Sequence, residues 1–360
     1  MKKRLFFLLF FLCLIFPFNV YADSSSSSVA IDINSKRILY ENNKDEKRLI
    51  ASITKVMTAL IALEYGNLGD VVTAGEEILS MYGSNIYLEL GEEMTLENLL
   101  YGLMLRSGND AAVVIANHIS KSEKEFVILM NEKAKDLGMK NTIFSNAHGL
   151  DEETKNYSSA YDMAILTSYV HKKYPKFRKI SKTKKHEVIT ENKSYLWYNR
   201  NRLLDTYEYV TGGKTGYTPS AGRTLVSTAK HEDLELVLVS LNDDEMFSNH
   251  KRIYEEIFSK YKNYKIIRKE KLILDPNIFK GTILIKDDFS YPLTKEETKM
   301  VTTLMKIDEK GKYKENGKIG YIKISLNDEL LKRVPIYSDE KKETRGFFQW
   351  LKNIFTLNLV

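Results

Sequence analysis

The segment Ala51-Ser52-Ile53-Thr54-Lys55-Val56-Met57 places a serine and a lysine three residues apart at the start of a predicted helix. Apolar residues recur within and beyond it with the i, i+3, i+4, i+7, i+8 spacing of a helix that packs on one side. They are Ile53, Val56, Met57, Leu60 and Ile61. At this spacing Ser52 and Lys55 share one helix face and lie within hydrogen-bonding reach.

The Ser52–Lys55 pair has two interpretations. A desolvated lysine can accept the proton of a serine hydroxyl and so convert a weak nucleophile into a reactive one. Alternatively, Ser52 is the N-cap of an ordinary surface helix. The pair alone favours the cap, so the decision rests on the remainder of the sequence.

The chain begins with the features of a secretory signal peptide. The basic start Met1-Lys2-Lys3-Arg4 precedes an apolar run over residues 5–18. Because this run is shorter than the roughly 20 residues that a membrane-spanning helix needs, we expect a signal peptide over residues 1–22, cleaved after Ala22, and not an uncleaved anchor. The single cysteine, Cys13, lies in this segment, so no disulfide is expected in the exported protein.

The mild net charge argues against a nucleic-acid partner. The chain carries +6 at neutral pH, and three positive charges belong to the predicted signal peptide. The basic run Lys182, Lys184 and Lys185 is predicted to be a solvated loop. No metal or other cofactor is predicted, because the histidines are scattered and form no His-Glu-x-x-His motif. We expect structural or surface roles for His118, His148, His171, His186, His231 and His250.

The order of predicted elements indicates an α/β (α+β) domain over residues 23–262. Strands come first, helices occupy the middle, and strands return before a closing helix. This order suits an antiparallel sheet flanked by helices, with a helical cluster beside it and the N-terminal hairpin paired with the late strands. Strands are predicted at residues 29–33, 37–40, 223–229 and 234–241, and helices at residues 95–105, 111–119, 124–137, 160–171 and 253–261.

Two further segments follow this domain. Short β-type runs between Asp-Pro, Lys-Gly and Asn-Gly turns predict a small all-β domain over residues 263–340. Residues 341–360 are rich in aromatic and aliphatic side chains with basic neighbours, and they are too few to span a bilayer. They are typical of an amphipathic helix that lies in a membrane interface, so we expect a membrane anchor here. The alternative is a helix docked on the β-domain.

Three short motifs occur in order along the first domain: Ser52-Ile53-Thr54-Lys55, Ser107-Gly108-Asn109 and Lys214-Thr215-Gly216. Their predicted contexts are a helix start, a loop between helices and a strand. This set of motifs is typical of class A β-lactamases and penicillin-binding proteins. The order, the spacing and the export signal together favour an active site at Ser52 over a helix cap.

At these residues the sequence resembles the low-molecular-mass penicillin-binding proteins, specifically the D-alanyl-D-alanine carboxypeptidases of serine peptidase family S11. The resemblance covers residues 28–261. It includes Gly138-Met139-Lys140-Asn141-Thr142-Ile143-Phe144, Asn146-Ala147-His148-Gly149-Leu150, Tyr161-Asp162-Met163-Ala164, Lys214-Thr215-Gly216-Tyr217-Thr218 and Ala221-Gly222. The resemblance implies a β-lactamase/transpeptidase-like domain. It also implies an enzyme that removes the terminal D-alanine from peptidoglycan stem peptides, is acylated by β-lactams and works at the outer face of the cytoplasmic membrane.

The resemblance implies a catalytic role for three residues. Ser52 would attack the carbonyl between the two D-alanines, and a neutral Lys55 would accept its proton. Neutrality at pH 7 requires the lysine pKa to fall by roughly 3 units from about 10.4. Burial and a neighbouring cation, Lys214, both act in that direction. Ser107 would relay the proton to the leaving amine.

The remaining motif residues are implied to bind the substrate. Asn109 would position both the lysine base and the substrate amide, while Lys214 and Thr215 would bind the terminal carboxylate. Gly216 would allow the edge strand to approach the substrate backbone closely. The oxyanion hole would be formed by the backbone amides of the nucleophilic serine and, by family resemblance, of Tyr217.

Three other classes of protein compete with this hypothesis. A phosphate-binding P-loop ending at Lys214 would need glycine at position 208, where the chain has Glu208. A β-lactamase would need a deacylating glutamate, and no Glu-x-x-Leu-Asn sequence lies between Leu150 and Lys214. A non-catalytic wall-binding module would be expected to have lost motif residues, and none is missing.

Overall fold

The computed structural model describes residues 25–191, 193–274, 279, 281–307, 316–339 and 355–356. The predicted signal peptide, residues 1–22, lies outside these residues. So does the predicted C-terminal helix, apart from two residues. The described chain divides into an α/β part, whose last helix ends at Lys260, and an all-β part, whose first strand begins at Lys262.

A five-stranded antiparallel sheet forms the centre of the first part. The strands of this part are β1 Ser27–Asp32, β2 Ile38–Asn42, β3 Arg48–Leu49, β4 Val71–Thr73, β5 Glu93–Thr95, β6 Tyr157–Ser158, β7 Lys185–Ile189, β8 Ser194–Tyr198, β9 Val210–Thr218, β10 Gly222–His231 and β11 Leu234–Leu241. The order in the sheet is β2-β1-β11-β10-β9. The predicted pairing of the N-terminal hairpin with the late strands is therefore confirmed, and β9, which carries the Lys-Thr-Gly motif, is an edge strand.

Both faces of this sheet are buried. Along β11, Val237 and Val239 belong to the large core on the side of the helical cluster, whereas Leu236 and Leu238 belong to a second core on the opposite face. A strand covered on both faces needs apolar residues at every position. This explains the uninterrupted apolar run in the sequence of β11.

Eight helices pack on and beside the sheet among the described residues. They are α1 Lys55–Tyr65, α2 Leu96–Tyr101, α3 Asn109–Ser120, α4 Glu123–Asp136, α5 Ala160–Lys173, α6 Pro175–Lys182, α7 Leu203–Thr206 and α8 Met246–Lys260. Helix α1 contacts α3, α4 and α5. The sequence predicts a helix packed on one side, but every residue of α1 from Lys55 to Ala62 is buried, because neighbours surround it.

The second part is all-β, as the sequence predicts, apart from one short 3-10 turn at Glu297–Met300. Its strands are β12 Lys262–Ile267, β13 Glu270–Ile273, β14 Thr282–Ile285, β15 Phe289–Leu293, β16 Val301–Ile307, β17 Lys318–Leu326, β18 Glu329–Ser338 and β19 Phe355–Thr356. Strands β12 and β15 form a ribbon, and the others form a sheet in the order β13-β14-β18-β17-β16-β19. The two structures share one apolar core, which includes Ile283, Ile324 and Ile336.

Arg37, in the turn between β1 and β2, connects the two parts. Its guanidinium lies 5.3 Å from the ring centroid of Tyr261 and 5.2 Å from that of Tyr291. It also donates to both carboxylate oxygens of Glu297 and to the carbonyl oxygen of Pro292. A half-buried bidentate ion pair between two aromatic rings fixes the angle between the parts.

The structure differs from the sequence predictions at three places. The basic run is solvated as predicted, but its loop is only residues 183–184, because Lys182 ends α6 and Lys185 begins β7. The hairpin of β7 and β8 was not predicted, since its strands are short and one of its faces is exposed. The prediction of a C-terminal helix is wrong at Phe355–Thr356, which pair with β16 as a strand. Within the described residues, no helix is long and apolar enough to cross a membrane.

Candidate active site

The nucleophile candidate lies in a single turn of 3-10 helix, Ala51–Thr54, directly before α1. Neither the turn nor α1 has a side-chain N-cap, so the interpretation of Ser52 as a cap is wrong. Ala51 has a φ of 46°, in the left-handed region that non-glycine residues avoid. Such strain is common where a surrounding structure holds a functional residue in place. Ser52 itself lines a cleft of about 700 Å³.

Lys55 is completely buried and points at Ser52. Its Nζ lies 3.1 Å from Ser52 Oγ, 2.8 Å from Asn109 Oδ1 and 2.5 Å from the carbonyl oxygen of His148. Burial lowers the pKa of Lys55 well below its usual value, and the charges of Lys214 and Arg200 lower it further. The sequence predicts that burial and Lys214 both lower this pKa, and burial is the larger cause. A neutral amine here can accept a proton from Ser52 Oγ.

Ser107 and Lys214 form the opposite wall. Lys214 Nζ donates to Ser107 Oγ over 3.0 Å and to the carbonyl oxygen of Thr215 over 2.6 Å. Burial, assisted by the charge of Arg200, lowers the pKa of Lys214 to about 7. Ser107 has a φ of 66° and follows a π-helical turn, Gly102–Arg106, which places its hydroxyl in the cleft.

Asn109 is the first residue of α3 and is almost fully buried. Its Oδ1 accepts from Lys55, and its Nδ2 donates to the carbonyl oxygen of Tyr82 over 2.7 Å. The predicted contact with the base is therefore present. The amide nitrogen already has a backbone partner, so a substrate carbonyl would have to share it.

Two glycines allow the chain to approach the nucleophile. A Cβ at Gly216 would lie 2.4 Å from Thr224 Oγ1 and 2.9 Å from the backbone nitrogen of Ser52. A Cβ at Gly149, where φ is +90°, would lie 2.1 Å from the carbonyl oxygen of Ala51. The sequence analysis assigned Gly216 to close contact with the substrate. In the structure, Thr224 Oγ1 and the backbone of the turn that contains Ser52 together exclude a side chain at this position.

All eight predicted site residues come together. Ser52, Ser107, Thr215, Gly216 and Tyr217 line one cleft of about 700 Å³. The other three, Lys55, Asn109 and Lys214, are buried behind its wall. Tyr217 is exposed, and the guanidinium of Arg223 lies 5.6 Å from its ring centroid.

Sequence reasoning missed two contributions to the site. The carbonyl of His148 binds Lys55, and its ring accepts a hydrogen bond from the amide of Leu150. Burial, with the nearby Lys55, lowers the pKa of His148 to about 3, so the ring is neutral. Arg200 is exposed in the cleft wall and donates to Ser84 Oγ over 2.8 Å. The signal for His148 was its motif-like segment, whereas Arg200 stands in no recognisable pattern.

A metal site and a P-loop are the two competing binding chemistries. Among the described residues, no three His, Cys, Asp or Glu side chains form a group that could hold a metal ion. The Lys-Thr-Gly motif lies within β9 and leads into the β9–β10 hairpin, whereas the lysine of a P-loop opens a helix. The site instead provides a serine, a buried lysine and a second serine–lysine pair on a sheet edge.

These features define a serine acyltransferase of the penicillin-recognising class, and comparisons with known sequences agree. The family model of D-alanyl-D-alanine carboxypeptidases, peptidase S11, matches residues 19–245. The model of the C-terminal domain of penicillin-binding protein 5 matches residues 261–344. The D-alanyl-D-alanine carboxypeptidase DacF of Bacillus subtilis is 34% identical over 354 residues, which are 92% of this chain and 89% of the relative. DacC of Escherichia coli is 30% identical, over 89% of this chain and 84% of the relative.

Solved structures show the same relationship. Penicillin-binding protein 5 of Haemophilus influenzae superposes with a TM-score of 0.75 at 26% identity, covering 89% of this chain and 98% of that chain. Penicillin-binding protein 6B of Escherichia coli gives a TM-score of 0.70 at 26% identity, with coverage of 89% and 97%.

The chain belongs to the peptidase S11 family of D-alanyl-D-alanine carboxypeptidases. It is a low-molecular-mass penicillin-binding protein and a serine-type carboxypeptidase of cell-wall metabolism. Its substrate class is peptidoglycan peptides that end in D-Ala-D-Ala, and it binds β-lactams.

Proposed function

We propose that Ser52 is the nucleophile of this carboxypeptidase and that Lys55 is its general base. The observation that carries the proposal is the 3.1 Å distance between Lys55 Nζ and Ser52 Oγ at a completely buried lysine. Burial lowers the pKa of Lys55 well below the usual lysine value, which favours the neutral amine that a general base requires. Its Nζ takes the proton of Ser52 as Oγ bonds to the carbonyl carbon between the two D-alanines.

The acyl-enzyme then forms by proton transfer to the leaving group. The carbon–nitrogen bond breaks, and the nitrogen of the terminal D-alanine must gain a proton to leave as an amine. Ser107 Oγ, which is hydrogen-bonded to Lys214 Nζ, is suited to relay it: Ser107 gives its own proton to the nitrogen and regains the proton that Lys55 took from Ser52. A water molecule next attacks the ester carbon, restores Ser52 Oγ–H and releases the shortened peptide. This sequence consumes one water and yields one D-alanine.

We assign substrate binding to the strand edge and its surroundings. An extended peptide can align along β9, whose outer edge is unpaired in the sheet. Asn109, Lys214 and Thr215 hold the peptide and its terminal carboxylate. The backbone amides of Ser52 and Tyr217 are proposed to stabilise the oxyanion, a contribution of about 10²–10³ in rate per donor. Gly216 lies beside the Ser52 amide and leaves room for the carbonyl.

Two measurements test this function. A purified pentapeptide incubated with the protein should lose one alanine by mass spectrometry, and no loss would contradict the proposal. A fluorescent penicillin should give a long-lived adduct that is absent in Ser52→Ala. Rapid turnover of the drug would point instead to a β-lactamase, and an absence of labelling would favour a non-catalytic wall-binding module.

We also propose that the enzyme is exported and that residues 341–360 hold it at the outer face of the cytoplasmic membrane. The signal-peptide pattern over residues 1–22 and the substrate class support export. The basic and aromatic composition of residues 341–360 supports a peripheral contact with lipid. A chain that ends at Glu340 should leave the membrane fraction, and continued sedimentation with membranes would contradict this anchor.

A further inference from the structure

One face of the large sheet in the second part carries basic and aromatic side chains. The opposite face packs on the core of this part through residues such as Ile283, Ile324 and Ile336. Because successive side chains of a strand alternate between the two faces, the residues between these core positions point outward. We call this outward surface the basic face, and it comprises Lys286, Lys306, Tyr321, Lys323, Arg333 and Tyr337.

The four cations of the basic face are not neutralised by neighbouring carboxylates. Strands β14, β16 and β17 contain no Asp or Glu, and β18 contains only Glu329, its first residue. The acidic residues that the structure describes in this sheet stand at strand ends or in turns, and two of them, Asp288 and Asp339, pair with other lysines. Within the described part of the chain, none of the four cations has a carboxylate within ion-pair distance. The face therefore presents a positive charge to solvent.

The strand register brings two of these cations together. Lys323 of β17 pairs with Arg333 of β18, so the two side chains stand directly opposite each other on one face. Like charges in this position repel each other and cost stability. The guanidinium of Arg333 also lies 5.3 Å from the ring centroid of Tyr321, which keeps it close to the sheet. A bound anion would relieve the repulsion that the fold tolerates here.

The charges are spread over a surface and do not form a single row. Lys306 of β16 pairs with Tyr321, one position along the sheet from the Lys323–Arg333 pair. Lys286 directly follows β14, and its Nζ lies 4.0 Å from the ring centroid of Tyr337. Strands β14, β18, β17 and β16 are consecutive in the sheet, so the cations extend over about 14 Å across the strands. This distribution suits a plane of anions better than one linear chain.

The basic face also adjoins the segment to which we assign membrane contact. Strand β18 ends at Ser338, directly before residues 341–360. Farther along that segment, Phe355–Thr356 pair with β16 at the edge of the same sheet. Where the structure describes the neighbourhood of this segment, it therefore lies beside the basic face. A membrane that contacts the segment lies within reach of the four cations.

We infer that the basic face binds the anionic phospholipid headgroups of the membrane. The inference rests on the proposed membrane location and adds a second, electrostatic contact that is distinct from residues 341–360. Each basic side chain near an anionic bilayer strengthens partitioning about fivefold. Salt screens such contacts, so four cations alone bind weakly at physiological ionic strength, and residues 341–360 remain necessary for stable attachment. The two contacts together would orient the β-domain on the membrane.

The test measures how the exported chain partitions onto lipid vesicles in a sedimentation assay at low ionic strength. Vesicles of phosphatidylcholine alone are compared with vesicles that also contain phosphatidylglycerol, for the wild type and for the double variant Lys323→Gln/Arg333→Gln. On the anionic vesicles, the variant should lose about 20-fold in partitioning, because two charges are removed. On phosphatidylcholine alone, it should change less than about twofold. Added salt should remove most of the difference between the two proteins.

The matched control is Lys182→Gln/Lys185→Gln, which removes two exposed cations from the catalytic part and the same net charge. It should partition like the wild type, and an equal loss in this control would show that net charge alone is responsible and would overturn the inference. Circular dichroism of both variants is the folding control.

The vesicle types separate this inference from the proposed anchor. Strong binding to phosphatidylcholine with the same gain from phosphatidylglycerol in the wild type and in Lys323→Gln/Arg333→Gln would support the anchor and refute the basic face. Binding to anionic vesicles alone, lost in that variant, would support the basic face and refute the anchor. Tighter binding to linear polyphosphate than to anionic vesicles, at equal phosphate concentration, would assign the face to a linear polyanion and contradict a membrane contact.

Discussion

At the scale of single residues, the proton-transfer chemistry of the site depends on two buried lysines. Lys55 and Lys214 are both nearly inaccessible to solvent, and burial is the main cause of the lowered pKa at each. One is directed at the nucleophile and the other at the second serine of the site. Desolvation thus provides one amine that can act as a base and a second that holds the proton relay.

Replacing Lys55 by arginine should abolish acylation and preserve the fold. Arginine stays protonated in proteins, so it cannot accept the proton of Ser52, and loss of a general base costs about 10²–10⁴ in rate. The rate of penicillin acylation, measured by intact mass, tests this expectation. Circular dichroism of the same sample is the folding control. Near wild-type acylation would show that another group is the base.

The pH profile of the wild type provides a second test of the same residue. Acylation requires the neutral amine, so its rate should rise with pH as Lys55 loses its proton. Because burial lowers this pKa well below the usual lysine value, the rise should be complete below the pH at which an ordinary lysine titrates. A rise centred near pH 10 would contradict a desolvated base.

At the scale of secondary-structure elements, the site depends on contact between β9 and the turn before α1. The edge strand can lie against Ser52 only because position 216 has no side chain. The loop with Gly149 approaches Ala51 from another direction. Both glycines therefore set the distance between elements that supply different catalytic groups.

Gly216→Ala should reduce acylation about 10²-fold, because a Cβ beside Ser52 would displace the strand by an appreciable fraction of an ångström. The rate constant for penicillin acylation measures this effect. Gly138→Ala is the matched control: Gly138 has a φ of +73° but no atom within 4 Å of its Cβ position. It should cost about 1–2 kcal/mol of stability and no activity. Equal activity of the two variants would refute the steric argument.

At the scale of the whole molecule, Arg37 couples the catalytic part to the β-domain, beside a hydrogen bond from Asn263 Nδ2 to the carbonyl oxygen of Asp233. Arg37 leaves the tip of the first hairpin, lies between Tyr261 and Tyr291 and pairs with Glu297. The ion pair is largely buried, with side chains 15% and 22% exposed, so solvent screens it less than a surface pair.

Arg37→Gln should uncouple the two parts without affecting catalysis. We expect the β-domain to unfold at lower temperature, with about 1–2 kcal/mol less stabilisation, as a separate calorimetric transition. The control is Arg48→Gln, which removes a more exposed ion pair with Glu46. It should leave the unfolding temperature unchanged. A single unshifted transition in Arg37→Gln would show that other contacts couple the parts.

Sequence patterns predicted local structure well where periodicity and turns were strong. The first hairpin, the helices around residues 111–119, 124–137 and 160–171, and the all-β character of the second part all have counterparts in the structure. Gly138 ends its helix with a positive φ, as expected of a C-terminal glycine. The β7–β8 hairpin was missed because its strands are only five residues each and carry a mixed polar face.

By itself, the sequence determined the identities and order of Ser52, Lys55, Ser107, Asn109 and Lys214, and with them the family and the reaction. Only the tertiary structure decided that helix α1 is enclosed on all sides, that Lys55 is therefore desolvated, and that the carbonyl of His148 binds it. It also brought Lys214 within hydrogen-bonding distance of Ser107. The reason is physical: burial and contacts between elements depend on residues far apart in the chain, which no local pattern records.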